Sequence, residues 1–260
     1  MAITIEGGID IGGNITIGAG TTPPPPPPAP SIYSGSGIFI GANFDVTETA
    51  GLSFGSSDFT IEAWIYPTGA GSNRRFFSQT YYTTSITQQC LRQTSGNKLQ
   101  YFFNLDGSGL INITGSTNLN FNAWNHCAIV RSGSTFTLYQ NGVSVASGSY
   151  GGSLPNMITA DLLLGASNAG VTENWAGNIS NYRIVKGVAV YTGTYTLPTS
   201  EFTATQSANP FGGSNTSAIS AGQTQLLLNT FTNEAVNTDN SGYSVSVTNN
   251  GVSNDALNPF

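Results

Sequence analysis

Few side chains in this sequence have types suited to catalysis. His126 is the only histidine, and Cys90 and Cys127 are the only cysteines. One histidine cannot build a multi-histidine metal centre or several alternative triads. A cysteine nucleophile needs a base beside it. Both thiols read as buried and reduced rather than bridged. Hydrolysis of a glycosidic bond needs two carboxylates on one face. Asp58 and Glu62 share strand parity, but Asp58 stands where a strand begins, and no E-x-D-x-x-E pattern occurs. Calcium needs several hard oxygen ligands. Asp106 and the stretch Asn168–Asn174 with Glu173 are the candidates for it, but there is no D-x-D-x-D cluster, so no metal or cofactor is assigned. The residues best suited to stacking on a sugar ring and holding its hydroxyls are Tyr81, Tyr82, Arg74, Asn168 and Asn174. Packing of the tyrosines beneath a loop is the alternative.

These groups must be positioned by strands. Only 8% of the 260 residues are charged, 11% are aromatic and 32 are glycine. Such a composition suits pleated strands and tight turns. Alternating apolar and polar residues predict strands at Ile38–Asp45, Asp58–Tyr66, Ile86–Leu91, Leu99–Asn104 and Leu110–Thr114. Others are expected at His126–Arg131, Thr135–Gln140, Val143–Ala146, Asp161–Gly165 and Asn178–Val185. Ser95-Gly96-Asn97, Asp106-Gly107 and Asn141-Gly142 read as hairpin turns. The dipeptide Arg74-Arg75 reads as a solvated hairpin tip and Tyr81-Tyr82 as part of a loop. Residues 204–223 read as a long surface loop. Two further strands, Thr224–Asn229 and Tyr243–Thr248, are expected to complete the same sandwich, with exchange into a neighbouring copy as the alternative. Many short strands at this spacing indicate an all-β, antiparallel jelly-roll sandwich.

The N-terminus is different. Ile3, Ile5, Ile9, Ile11, Ile15 and Ile17 mark three copies of a six-residue unit. Three such units cannot bury a core alone, so residues 1–20 read as an arm that must pair with its own copies or another protein. Residues 21–30 (TTPPPPPPAP) predict a polyproline spacer; its eight-residue run would span roughly 25 Å. Residues 31–260 form the sandwich, with a core at 36–203 and closing strands in 224–260.

A net charge of −6 with seven basic residues argues against nucleic-acid binding. No stretch reaches the roughly 20 apolar residues of a membrane span, and Met1–Ile5 lacks the basic start of a signal peptide. Synthesis and assembly in a cytoplasm are therefore expected.

Five stretches carry a resemblance. Asp58–Pro67 (DFTIEAWIYP), Trp124–Arg131 (WNHCAIVR), Leu138–Val143 (LYQNGV), Leu163–Gly165 and Trp175–Ile184 (WAGNISNYRI) resemble, in order, the strands of the concanavalin A-like lectin/glucanase superfamily, in its laminin G and pentraxin branch. The resemblance covers about residues 36–203. It implies that Glu62, His126, Trp64, Trp124 and Trp175 hold positions belonging to the fold rather than to a ligand site. Gly187–Ala204 (GVAVYTGTYTLPTSEFTA) is similar to such domains in tailed-bacteriophage virion proteins. The start and end of the chain resemble virion-protein segments too. This resemblance implies a non-enzymatic virion subunit, a fibre or capsid decoration, whose arm binds other virion proteins and forms homo-oligomers, with a trimer favoured. The head would meet a surface or a host glycan. A free carbohydrate-binding module or adhesin is the alternative, and a glycoside hydrolase stands behind both.

Overall fold

β-branched and aromatic residues at alternating positions form strands here, because a pleated chain sends successive side chains to opposite faces. A computed structural model describes residues 35–71, 73–82, 86–105, 108–157, 161–167, 173–232 and 237–260, with the backbone alone at residues 81, 82, 86 and 161. The arm with its six isoleucines, the proline spacer, Asp106 and Asn168 lie outside these residues. Residues Tyr33–Phe260 form one unit by themselves.

Its strands, in chain order, begin with β1 (Ser36–Ile38), β2 (Asn43–Val46), β3 (Phe59–Pro67), β4 (Arg74–Tyr82) and β5 (Ile86–Gln93). Next come β6 (Lys98–Leu105), β7 (Ser108–Asn118), β8 (Asn125–Ser132), β9 (Thr135–Gln140) and β10 (Val143–Ser149). The last are β11 (Asp161–Leu164), β12 (Gly177–Lys186), β13 (Thr224–Leu228), β14 (Val247–Asn250) and β15 (Ser253–Asp255). Among the described residues a single 3-10 turn, Ala50–Leu52, interrupts them.

Two antiparallel sheets result. One runs β10-β9-β8-β3-β12-β1-β15, with β13 also paired to β12; the other runs β14-β2-β11-β4-β5-β6-β7. Along one edge of β12, β1 takes Asn178 and Ile179, and β13 takes Tyr182 to Val185. Between the sheets lies the main core, which includes Phe44, Phe59, Phe77, Tyr101, Phe103, Ile129, Phe136, Ile184 and Leu226. The architecture is the expected jelly-roll type of β-sandwich. The Asn141-Gly142 hairpin has positive φ at both residues, 51° and 81°, as a type I′ turn requires.

A second layer closes the eight-stranded sheet from outside. The segment after β12 folds back over it, and Val190, Tyr191, Tyr195 and Ile219 pack on Ala128, Val130 and Tyr139. Phe202 joins Trp64 and Leu227 in a further cluster. Both faces of β3, β8 and β12 are therefore covered, and nearly every residue of these strands is buried.

Four expectations change. Ile38–Asp45 is two strands, because the chain turns at Ile40-Gly41, where Gly41 has φ +72°. Arg74 and Arg75 are not a hairpin tip: they open β4, and Arg75 is 7% exposed. Tyr81 and Tyr82 close β4, paired with Thr87 and Ile86, and are not in a loop. Strand Tyr243–Thr248 begins only at Val247. Before it, the Asp239 carboxylate accepts the backbone N–H groups of Leu227, Ser241 and Val245 and folds 239–245 into a loop. Residues 204–223 do follow the surface, but are tied down by the bridges Tyr191–Thr216 and Gln206–Ile219.

Candidate ligand-binding face

The outer face of the seven-stranded sheet has no comparable layer over it among the described residues. Strand parity sets what it displays. Register places Gln88, Cys90 and Arg92 of β5 beside Asn104, Phe102 and Gln100 of β6. Asn112 and Thr114 of β7 pair with Phe102 and Gln100. Ser78 and Thr80 of β4 pair with Cys90 and Gln88, but Ser78, Thr80 and Cys90 are buried and Ser78 donates to the Ser167 carbonyl. This end of the face is therefore covered, and the open part is β6, β7 and the Arg92 side of β5. The opposite parity, Leu91, Leu99, Tyr101 and Phe103, enters the core.

Phe102, half-buried, is the aromatic centre of this face. The Arg92 guanidinium lies 4.6 Å from its ring centroid and that of Arg75 lies 5.6 Å away. Polar neighbours fix both arginines. Arg75 donates to Ser78 at 3.1 Å and Gln88 at 3.0 Å, and pairs with Glu173 at 2.6 Å. Arg92 donates through Nε to Gln100 at 2.6 Å, and Gln100 in turn donates to Asn112 and Thr114 at 2.9 and 2.8 Å. Such a row combines an apolar ring with oriented amides, hydroxyls and guanidinium groups, the elements that hold a sugar by its face and its hydroxyls. Cys90 lies in the same row but is buried. Burial pushes its thiol up to about 12 despite the two nearby arginines, so it is no nucleophile at neutral pH.

Of the residues chosen from sequence, Arg74 and Asn174 come together at one end of β4. Asn174 bridges the backbone of Arg75, and Arg74 donates to the Gly69 carbonyl at 3.1 Å. Tyr81 and Tyr82 stand at the far end of the same strand, roughly 23 Å away at about 3.3 Å per residue. One small ligand does not reach both ends. Phe102, Arg92, Gln88, Gln100 and Asn112 were missed. The available signal was an aromatic residue at an outward parity position: in LQYFFN, Tyr101 and Phe103 share one face and leave Phe102 on the other. Glu173, a calcium candidate, is engaged by Arg75.

The other group of ionisable residues is sealed. Glu62 of β3 receives Nε and Nη2 of Arg183 at 2.7 and 2.6 Å and the Tyr191 hydroxyl at 2.5 Å. His126 Nε2 lies 3.3 Å from the same carboxylate, and its Nδ1 is 2.7 Å from the Tyr195 hydroxyl. Glu62 and His126 are fully buried. Burial alone would raise the Glu62 pKa, but Arg183, with His126 and Tyr191, outweighs it and holds the carboxyl at about 2.

The family model described as the concanavalin A-like lectin/glucanases superfamily matches residues 41–190. The chain belongs to this superfamily. A candidate carbohydrate-binding protein from Bacteroides ovatus has the same fold, with a TM-score of 0.60 at 18% identity. The match covers 87% of this lectin-like chain and 60% of that one. Domains LG4-5 of the mouse laminin α1 chain match at a TM-score of 0.46 and 13% identity, over 66% of this chain and 48% of theirs. The CBM40 module of a Ruminococcus gnavus sialidase matches at 0.46 and 16%, over 61% of this chain and 89% of its own. No curated protein matches. The matched residues 41–190 hold every strand of the Phe102 face except β14, so this lectin-like sandwich owns the face. The C-terminal segment that seals Glu62 lies mostly beyond them.

Proposed function

We propose that this chain is a non-enzymatic virion subunit, a fibre or capsid decoration, whose lectin-like head attaches to glycans through the outer face of the seven-stranded sheet. The observation that carries the binding reading is Phe102 flanked by two guanidinium groups in a row of oriented amides. The sequence of Gly187–Ala204 and the isoleucine repeat support the virion reading: the arm anchors to other virion proteins and to its own copies as an oligomer, the proline run spaces, and the head faces outward. Assembly then takes place in the host cytoplasm. The sealing of Glu62 against Arg183 supports a binding rather than a hydrolytic role, because a general acid or nucleophile must reach its substrate.

Two experiments test the proposal. A glycan array probed with the purified chain should show binding that Phe102→Ala removes while the head stays folded; an array without signal rejects the glycan-attachment reading. Purified particles should contain this chain in stoichiometric amounts; its presence only in the particle-free fraction favours a free carbohydrate-binding module instead.

A further inference from the structure

Arg75 and Arg92 are direct register partners across β4 and β5. Like charges placed opposite one another on neighbouring strands repel, and a broken local rule of this kind marks functional sites. The two are not treated alike. Glu173 cancels the charge of Arg75 at 2.6 Å. Among the described residues Arg92 has no carboxylate partner: its Nε bonds to the neutral amide of Gln100, and its two terminal nitrogens bond to none of them. Lys98, on the same face of β6, also lacks a carboxylate among the described residues, but its Nζ is held by the Ser116 carbonyl and makes no contact with Phe102. Asp161 and Asp45 sit two and three strands away from β5, and Asp161 pairs at Thr80 rather than near Arg75. Among the described residues the row therefore lacks a counter-charge for Arg92, and it lacks it beside the half-buried ring of Phe102.

The remaining cations of the chain are committed elsewhere. Arg131 donates to three backbone carbonyls, Arg183 serves Glu62, and Lys186 and Arg74 bond to carbonyls. In a chain of net charge −6, a cation left without a counter-charge on an open face selects for an anion.

We infer that the Arg75–Phe102–Arg92 row is specific for acidic glycans and holds the carboxylate of one sugar residue on Arg92. This deepens the glycan-binding reading of the face and rests on it. A planar carboxylate matches the two parallel N–H groups of a guanidinium. The attached ring then packs beside Phe102, against whatever part of it the two guanidinium groups leave uncovered, toward the Asn112 and Gln88 amides. Arg75, already neutralised, orients Phe102 rather than binding the acid.

The test titrates the full chain with uronic- and sialic-acid oligosaccharides, their methyl esters and inorganic sulfate, and follows binding and melting temperature. Acidic sugars should bind at least tenfold more tightly than the esters, and Arg92→Gln should abolish that preference. Arg92→Lys should restore only part of it. The melting temperature of the unliganded Arg92→Gln protein checks that it folds. Equal binding of acids and esters, abolished by Phe102→Ala, overturns the acid specificity and leaves the glycan reading intact. Sulfate matching the acidic sugars overturns the sugar assignment. Binding of no glycan in any form overturns both.

Discussion

One oxygen of Glu62 accepts two N–H groups of Arg183, at 2.7 and 2.6 Å, where neither side chain is more than 1% exposed. Strands β3 and β12 are thereby clamped, and Arg183 also donates to the Thr203 carbonyl at 3.0 Å and stacks on Phe202 at 4.5 Å. The covering segment is thus bonded to the sheet through the same guanidinium. An ion pair sealed in this way is costly to break from one side, since the survivor is left charged and unpaired.

Glu62→Gln should therefore destabilise the head by about 3–5 kcal/mol, measured by urea unfolding. Replacing both partners, Glu62→Leu with Arg183→Met, should recover most of the loss. Equal destabilisation by the single and double variants would show that the pair contributes no more than its packing.

The same carboxyl sets an acid limit. Its folded pKa, held at about 2, lies below the ordinary value of 4.5. The unfolded chain therefore takes up the proton first as pH falls. The contribution of Glu62 is complete above about 4.5 and disappears as pH drops toward 2. Melting temperatures between pH 5 and 2.5 should fall more steeply for the native chain than for Glu62→Gln. Parallel curves would contradict this.

Removing residues 224–260 should expose the core and make the head aggregate. Leu226 and Leu228 lie in the main core with Phe231, Val247 and Val252, and Leu227 packs on Trp64 and Phe202. Leu226→Ala alone should cost about 2–5 kcal/mol, read by chemical denaturation. A monodisperse 31–203 fragment with the native melting temperature would refute it.

Deleting residues 1–22 should leave a folded head that no longer joins its own copies or the particle, as light scattering and co-sedimentation would report. Unfolding of the truncated chain would place the arm in the core instead.

The alternation of apolar residues, the Asn141-Gly142 turn and the order of the lectin-like motifs were enough to determine a β-sandwich from sequence, since strand period and turn chemistry are local properties. They also determined that catalysis has few side chains to draw on. What the sequence alone did not determine is which polar face meets water. Thr60, Glu62 and Trp64 alternate with core residues in β3 just as Gln100, Phe102 and Asn104 do in β6. A strand's period assigns two faces but names neither as solvent. Tertiary structure decided it: the segment after β12 covers the first set, with Tyr191, Tyr195 and Phe202 packed against it, while no such layer of described residues lies over the second. For the same reason Arg75 and Arg92 met only when β4, itself read as a tip and a loop, took its register against β5.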